Sequence, residues 1–296
     1  MKKLKIYIVI LLFVALYLWY LNKQKLEDTS TTETSTKRLP QALIIGARKG
    51  GTRALINSLA LHSKIKVAKR EVHYFDDENL YQNGLEWYRN QMPKSAIDQI
   101  TIEKTPAYFP SPKVPKRVFE VDPNIKIILI IRNPVDRTIS DFSQVQATRT
   151  SKNLPLLDFK SSVFLPNSTD LNLKFKPVFN SLYDLHLQNW LEYFGLDQIL
   201  IVDGDKFKQD PLSEIRNVER FLKLEPEITS ANIRFNEKKG FYCFVDNKQH
   251  EKCLGENKGR PQVFVSQRVR RLLSNNFNQY NEKFFQLINQ RFYWKK

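Results

Sequence analysis

Gln41-Ala42-Leu43-Ile44-Ile45-Gly46-Ala47-Arg48-Lys49-Gly50-Gly51-Thr52-Arg53 is the stretch on which the fold turns. The apolar run Ala42 to Ile45 stops at Gly46, and after a loop bearing Lys49, Gly50 and Gly51 apolar residues resume at helical spacing, Leu55 and Leu59. That order predicts strand, turn and helix. Backbone N–H groups of such a turn and of the helix start form an anion cradle, and glycines let a phosphate or sulfate approach closely. Arg48, Lys49 and Arg53 add full charges, which favours an anion site over an ordinary βα turn with a basic rim. This is not a Walker loop, whose lysine follows the second glycine; here Lys49 precedes the glycine pair.

Working outward, Lys126 to Ile131 is a near-continuous β-branched run of the kind a parallel sheet buries on both faces. It ends in Arg132-Asn133-Pro134, and the next helix carries Arg137, Ser140, Asp141 and Gln144. Ligands of open α/β sheets sit at the carboxyl ends of the strands, so Arg132 and Ser140 are placed to grip a second phosphate, with capping or salt-bridging as the competing role for the arginine. Gln198 to Val202 reads as a further buried strand, closed by Asp203-Gly204-Asp205. The sequence thus predicts an α/β fold, a P-loop-like parallel sheet flanked by helices.

On an extended chain Glu71 and His73 of Glu71-Val72-His73-Tyr74-Phe75-Asp76 would share one face, a carboxylate beside an imidazole that can accept a proton, or else a polar strand end over a core. In Glu103-Lys104-Thr105-Pro106, proline holds Thr105 extended and fixes the lysine on a defined turn; a surface pair of Glu103 with Lys104 is the plainer reading. Residues 145–180 read as polar loops over the cleft, Tyr183 to Phe194 and Ser213 to Leu222 as helices, Ser213 being the expected cap, and Ser266 to Gln290 as a last helix with a basic face. His62, His73, His186 and His250 lack ligand spacing, so no metal is expected.

The 296 residues carry a net charge of +16. Residues 1–40 hold seven Lys/Arg against three Asp/Glu, leaving +12 on residues 41–296, so the globular part itself seeks anions. Lys2, Lys3 and Lys5 precede the apolar stretch Ile6 to Leu21, and no small-x-small cleavage site follows. That pattern predicts residues 1–5 as a cytosolic tail, 6–21 as an uncleaved transmembrane signal anchor, 22–38 as a Ser/Thr-rich stem and 39–296 as the lumenal domain of a single-pass type II protein. Cys243 and Cys253, the only cysteines, lie close enough for a disulfide, which a lumenal address favours over two free thiols. Phe241, Tyr242 and Phe244 suggest a hairpin pinned there, and Asn167-Ser168-Thr169 is a glycosylation acceptor triplet.

Together these residues resemble the heparan sulfate glucosamine 3-O-sulfotransferases. The likeness runs from about Leu39 to Trp294 and rests on Gly46-x-Arg48-Lys49-Gly50-Gly51-Thr52-Arg53, Glu71 to Asp76, Glu103 to Tyr108, Ser140-Asp141-Phe142-x-Gln144, Ile201 to Asp205, Lys239 to Cys243 and Lys258-Gly259-Arg260. It implies a sulfotransferase fold in the Golgi membrane, using 3′-phosphoadenosine 5′-phosphosulfate on heparan sulfate, with no nucleic-acid partner. By that resemblance Lys49, Gly50, Gly51, Thr52 and Arg53 hold the 5′-phosphosulfate, Arg132 and Ser140 the 3′-phosphate, and Tyr242 with Lys258, Gly259 and Arg260 close over the nucleotide. Glu71 is implied as general base, in a catalytic set with Lys49 and His73. His73, Asp76, Lys104 and Gln144 are implied in the acceptor cleft, with Lys69 and Arg70 alongside. Lys69 with Gly255 would leave an open cationic rim. A nucleotide kinase would want a Walker lysine and a magnesium ligand instead, and a heparan-binding protein on an inactivated scaffold would not need Lys49, Glu71 and Arg132 together.

Overall fold

Five strands build the central sheet of the computed structural model, which describes residues 17–19, 35–246, 248–253 and 262–294. They are β1 (Ala42–Gly46), β2 (Ile65–Val67), β3 (Ile100–Lys104), β4 (Lys126–Ile131) and β5 (Ile199–Asp203), in spatial order β2-β3-β1-β4-β5. Every neighbouring pair is parallel, Ile44 standing opposite Lys104 on one side and Ile128 on the other. All five residues of β1 are buried, as a strand covered on both faces requires.

Alternation along the strands sorts the core into two layers. Leu43, Ile45, Ile127, Leu129 and Ile131 face an aromatic layer that includes Tyr74, Phe75, Tyr108, Phe109, Trp190 and Phe284. Ala42, Ile44, Ile128 and Ile130 face α1 (Thr52–Leu59) through Leu55, Ile56 and Leu59, together with Ile215 and Val218. A third cluster packs Val135, Ile139 and Phe142 of α2 (Pro134–Ser151) against Phe159, Val163, Leu273 and Phe277.

After α2 come α3 (Tyr183–Leu191), α4 (Gly204–Gln209), α5 (Pro211–Phe221) and, at the C-terminus, α6 (Gln267–Ile288). The cap of α5 is Asp210, which accepts from the Ser213 N–H, not Ser213 itself; Pro211 at the first helical turn fixes the start two residues earlier than the apolar pattern indicated. Residues 145–180 are not all loop: α2 continues to Ser151, and short helices span Phe159–Val163 and Lys176–Phe179. The continuation of α2 beyond Ser143 buries no residue, so no apolar pattern marks it in the sequence.

A small antiparallel sheet, β6 (Ile233–Asn236), β7 (Phe241–Val245) and β8 (Glu251–Lys252), carries the Cys243–Cys253 disulfide, as the pinned hairpin required. The expected span at residues 6–21 lies outside the described residues except 17–19, which are helical. Among the described residues no helix is long and apolar enough to cross a membrane.

Candidate active site

The turn between β1 and α1 closes on β4. Ala47 N–H donates to the Ile130 carbonyl (2.8 Å) and Gly50 N–H to the Ala47 carbonyl (2.8 Å). A Cβ on Gly50 would sit 2.3 Å from the Ile130 carbonyl oxygen, and Gly51 has φ +120, so both glycines are demanded by the backbone path. Gly204 at the start of α4 closes the other side, its own missing Cβ falling 2.4 Å from the Gly50 oxygen. α1 begins at Thr52 with no side-chain cap and no acidic residue in its first turn, leaving its leading N–H groups for an anion.

Behind this cradle stands a buried brace. Arg137, 0 % exposed, donates from its guanidinium to the Arg48 carbonyl (3.0 Å), Asp141 (3.0 Å), Ser181 Oγ (2.6 Å) and the Pro177 carbonyl. Asp141 also takes Arg48 Nε at 2.9 Å. Burial alone would push the Asp141 carboxyl up, but the two guanidiniums outweigh it and hold it below its usual range. Arg132 is steered by Asp205 (3.0 Å), whose second oxygen accepts the Asn133 N–H, while the Tyr183 hydroxyl donates to the Arg132 carbonyl. Arg132 makes this salt bridge and also lines a cavity together with Ser140.

That cavity, of about 1360 Å³, is lined by the glycine turn and by Glu71, His73 and Asp76. Glu71 pairs with Lys104, lies 3.6 Å from Arg53 and 3.8 Å from His73 Nε2, and His73 Nδ1 is 3.0 Å from Asp76. Residues 71–73 are not a strand; His73 has φ +57, so the two side chains meet through a turn and not through the alternation of an extended chain. Partial burial works against the Glu71 charge, yet the neighbouring His73, the hydrogen bond from Lys104 and the charges of Lys104 and Arg53 prevail and hold it down at about 2. His73 is raised to about 10, by its bond to Asp76 first and the nearby Glu71 carboxylate second, and is an imidazolium at neutral pH. Lys104, with a side chain 2 % exposed, is pulled below its usual range by burial, which its bond to Glu71 only partly offsets. Glu103 makes no surface pair: it is fully buried, and burial pushes it up to about 7.

Residues 39–290 match the sulfotransferase domain family. Heparan sulfate glucosamine 3-O-sulfotransferase 5 of Mus musculus is 43 % identical over 258 residues, covering 87 % of this chain and 75 % of that protein. The Homo sapiens 3-O-sulfotransferase 6 is 39 % identical over 260 residues, 87 % of this chain and 74 % of that one. The chain belongs to the heparan sulfate glucosamine 3-O-sulfotransferase family. Among solved structures, a sulfotransferase from Alicyclobacillus acidocaldarius superposes with a TM-score of 0.63 at 18 % identity, covering 86 % of this chain and 98 % of that one. A mouse sulfotransferase complexed with PAP gives 0.52 at 18 % identity, with 84 % and 87 % covered, and both establish the fold.

Of the residues that the 3-O-sulfotransferase resemblance singled out, the cavity wall gathers Lys49, Gly50, Gly51, Thr52, Arg53, Glu71, His73, Asp76, Arg132, Ser140, Gln144 and Tyr242. Lys104 reaches Glu71 from behind. Lys69 and Arg70 are exposed and off that wall, Arg70 donating to Gln91 (2.6 Å). Lys258, Gly259, Arg260 and Gly255 lie outside the described residues. The sequence reading missed Lys208, Phe241, Lys176, Phe179 and Asn180, all of which line the cavity. Lys208 follows a strand's carboxyl end on α4, a position that could have flagged it; the residue 176–180 wall carries no local signal, because Arg137 brings it in from 40 residues away through Ser181 and Pro177.

Proposed function

We infer that this protein moves a sulfuryl group from 3′-phosphoadenosine 5′-phosphosulfate to the 3-hydroxyl of glucosamine units in heparan sulfate. One observation carries the reading: Lys49 of the glycine turn and Glu71 line a single cavity, in a chain of the 3-O-sulfotransferase family. The cradle fits the donor. Gly50 lets the turn close directly on the β4 backbone, the α1 start offers N–H groups, and Lys49, Arg53, Arg132 and Ser140 supply charge and donors for the phosphosulfate and 3′-phosphate. Tyr242 and Phe241 give the nucleotide end an aromatic lining.

In the reaction the acceptor oxygen bonds to sulfur as the bond from sulfur to the bridging phosphate oxygen breaks. Glu71 takes the hydroxyl proton, and Lys49 with the turn amides receives the charge that builds on the departing phosphate. A base at about 2 is weak, but Arg53 exchanges Glu71 for the donor phosphate when donor arrives, and a saccharide laid over the carboxylate excludes water; both raise its basicity. His73, charged and tethered to Asp76, holds the far carboxylate oxygen and aims the near one. The N-terminal stretch 6–21 is read as the anchor that sets this domain in the Golgi lumen, an address suited to the disulfide and to use of the exposed Asn167 triplet.

The test is to incubate the protein with radiolabelled donor and heparan sulfate and map the labelled position by disaccharide analysis. Label on the glucosamine 3-oxygen is expected; label on nitrogen or another hydroxyl would refute the assignment. Glu71→Gln should lower kcat about 10²- to 10⁴-fold while leaving affinity for 3′-phosphoadenosine 5′-phosphate within twofold.

A further inference from the structure

The strand that delivers Lys104 does a second job with the residues on either side of it. Glu103 and Thr105 are fully buried, on the face of the chain opposite Lys104. Thr105 Oγ1 donates to Glu103 Oε1 (2.5 Å) and accepts from two backbone groups, Val72 N–H (3.1 Å) and His73 N–H (3.3 Å). Glu103 Oε1 also lies 3.4 Å from the Val72 nitrogen, and the Tyr88 hydroxyl lies 3.5 Å from Oε2. One residue further, Tyr74 N–H donates to the Tyr108 hydroxyl (3.1 Å). The backbone just after Glu71 is therefore hung, amide by amide, from the end of β3.

That end is itself registered to the donor cradle, since Thr105 N–H donates to the Ile44 carbonyl of β1, two residues before the strand runs out into the glycine turn. His73 sits at φ +57, a conformation that costs an L-residue about 1 kcal/mol and needs something to hold it. A single hydroxyl thus lies between the position of the base and the position of the sulfuryl cradle. We propose that Thr105, backed by Glu103, is a positioning clamp that fixes the Glu71–His73 backbone relative to the donor turn, acting on transfer and not on donor binding. The clamp touches neither donor nor acceptor, and it rests on the assignment of Glu71 as general base.

Three full-chain variants test it. Thr105→Val keeps shape and β-branching but takes the acceptor from the part-buried His73 N–H and leaves the buried Val72 N–H only its long contact to Glu103, so the segment must shift to find partners. Because a displacement near 1 Å can cost about 10²-fold, kcat should fall about that much, with affinity for 3′-phosphoadenosine 5′-phosphate within twofold of the parent. Thr105→Ser restores the hydroxyl and should return kcat to within about threefold, and Glu103→Gln, which keeps an acceptor for Thr105, should stay within about fivefold. A Thr105→Val protein whose kcat stays within threefold of the parent overturns the clamp. So does one that loses nucleotide affinity in step with kcat, or a Thr105→Ser variant as impaired as Thr105→Val. Absence of transfer by the unaltered chain overturns the base assignment and the clamp with it, whereas transfer unaffected by Thr105→Val overturns the clamp alone.

Discussion

Glu71 and His73 form a pair whose charges are set by one another, by Asp76 on the His73 side and by Lys104 and Arg53 on the Glu71 side, so the pH behaviour of the site belongs to the whole cluster. The signs are opposite for the two partners. Glu71 is lowered from 4.5 to about 2, so its contribution to the folded site is present above 4.5 and is lost as pH falls through about 2. His73 is raised from 6.5 to about 10, so its contribution is full below 6.5 and fades as pH rises through about 10. Asp76→Asn removes the largest cause of that rise. The His73 midpoint should drop by roughly one to three pH units, and the alkaline limb of kcat should move down with it. An NMR titration of the His73 ring beside a pH–rate profile checks both; an unmoved midpoint would show that Asp76 does not hold the imidazolium.

At the scale of elements, the donor turn is a three-layer stack of backbone with no spare volume: the β4 carbonyl of Ile130, the Gly50 loop, and the Gly204 start of α4. Gly50→Ala and Gly204→Ala each set a methyl against main-chain oxygens under 3 Å away, atoms that cannot rotate aside as a side chain would. Each should lower nucleotide affinity at least about tenfold and cost about 1–3 kcal/mol of stability, measured by isothermal titration and thermal unfolding. By contrast Gly240→Ala, where a Cβ would meet nothing within 4 Å, has only its φ of +65 to pay for and should leave affinity nearly unchanged. The strand–turn–helix unit was legible because β-branched runs and glycines act locally. Glu71 beside His73 was legible as a pair but not as a shape, since the turn at His73 is held not only by nearby Asp76 but also by Thr105, 32 residues further along the chain. Glu103 was misjudged for the same reason: nothing adjacent in the chain says that a carboxylate will be buried beneath tyrosines.

For the whole molecule, the sheet order β2-β3-β1-β4-β5 puts the switch point beside β1, where chain from β1, β3, β4 and α4 meets, so the cavity and the sheet are consequences of one topology. The parallel sheet could be read from buried apolar runs, whereas the wall at 176–180 and the buried Arg137 brace depend on long-range packing that no periodicity records. Charge is the property that acts at this largest scale. The chain carries +16, and Arg48, Lys176, Lys208 and Lys239 line a cavity that opens to solvent. A sulfated polymer approaching such a surface is drawn by many charges at once, each screened over about 8 Å at physiological ionic strength. Raising salt from 50 to 200 mM should therefore raise KM for polymeric heparan sulfate roughly tenfold while changing kcat less than about twofold, because the paired groups at Glu71 are partly shielded from solvent ions. A short oligosaccharide that fills only the cavity spans fewer of those charges and should show a shallower slope. Equal slopes for polymer and oligosaccharide would mean that recognition ends at the cavity mouth and that the surplus charge plays no part in capturing the chain.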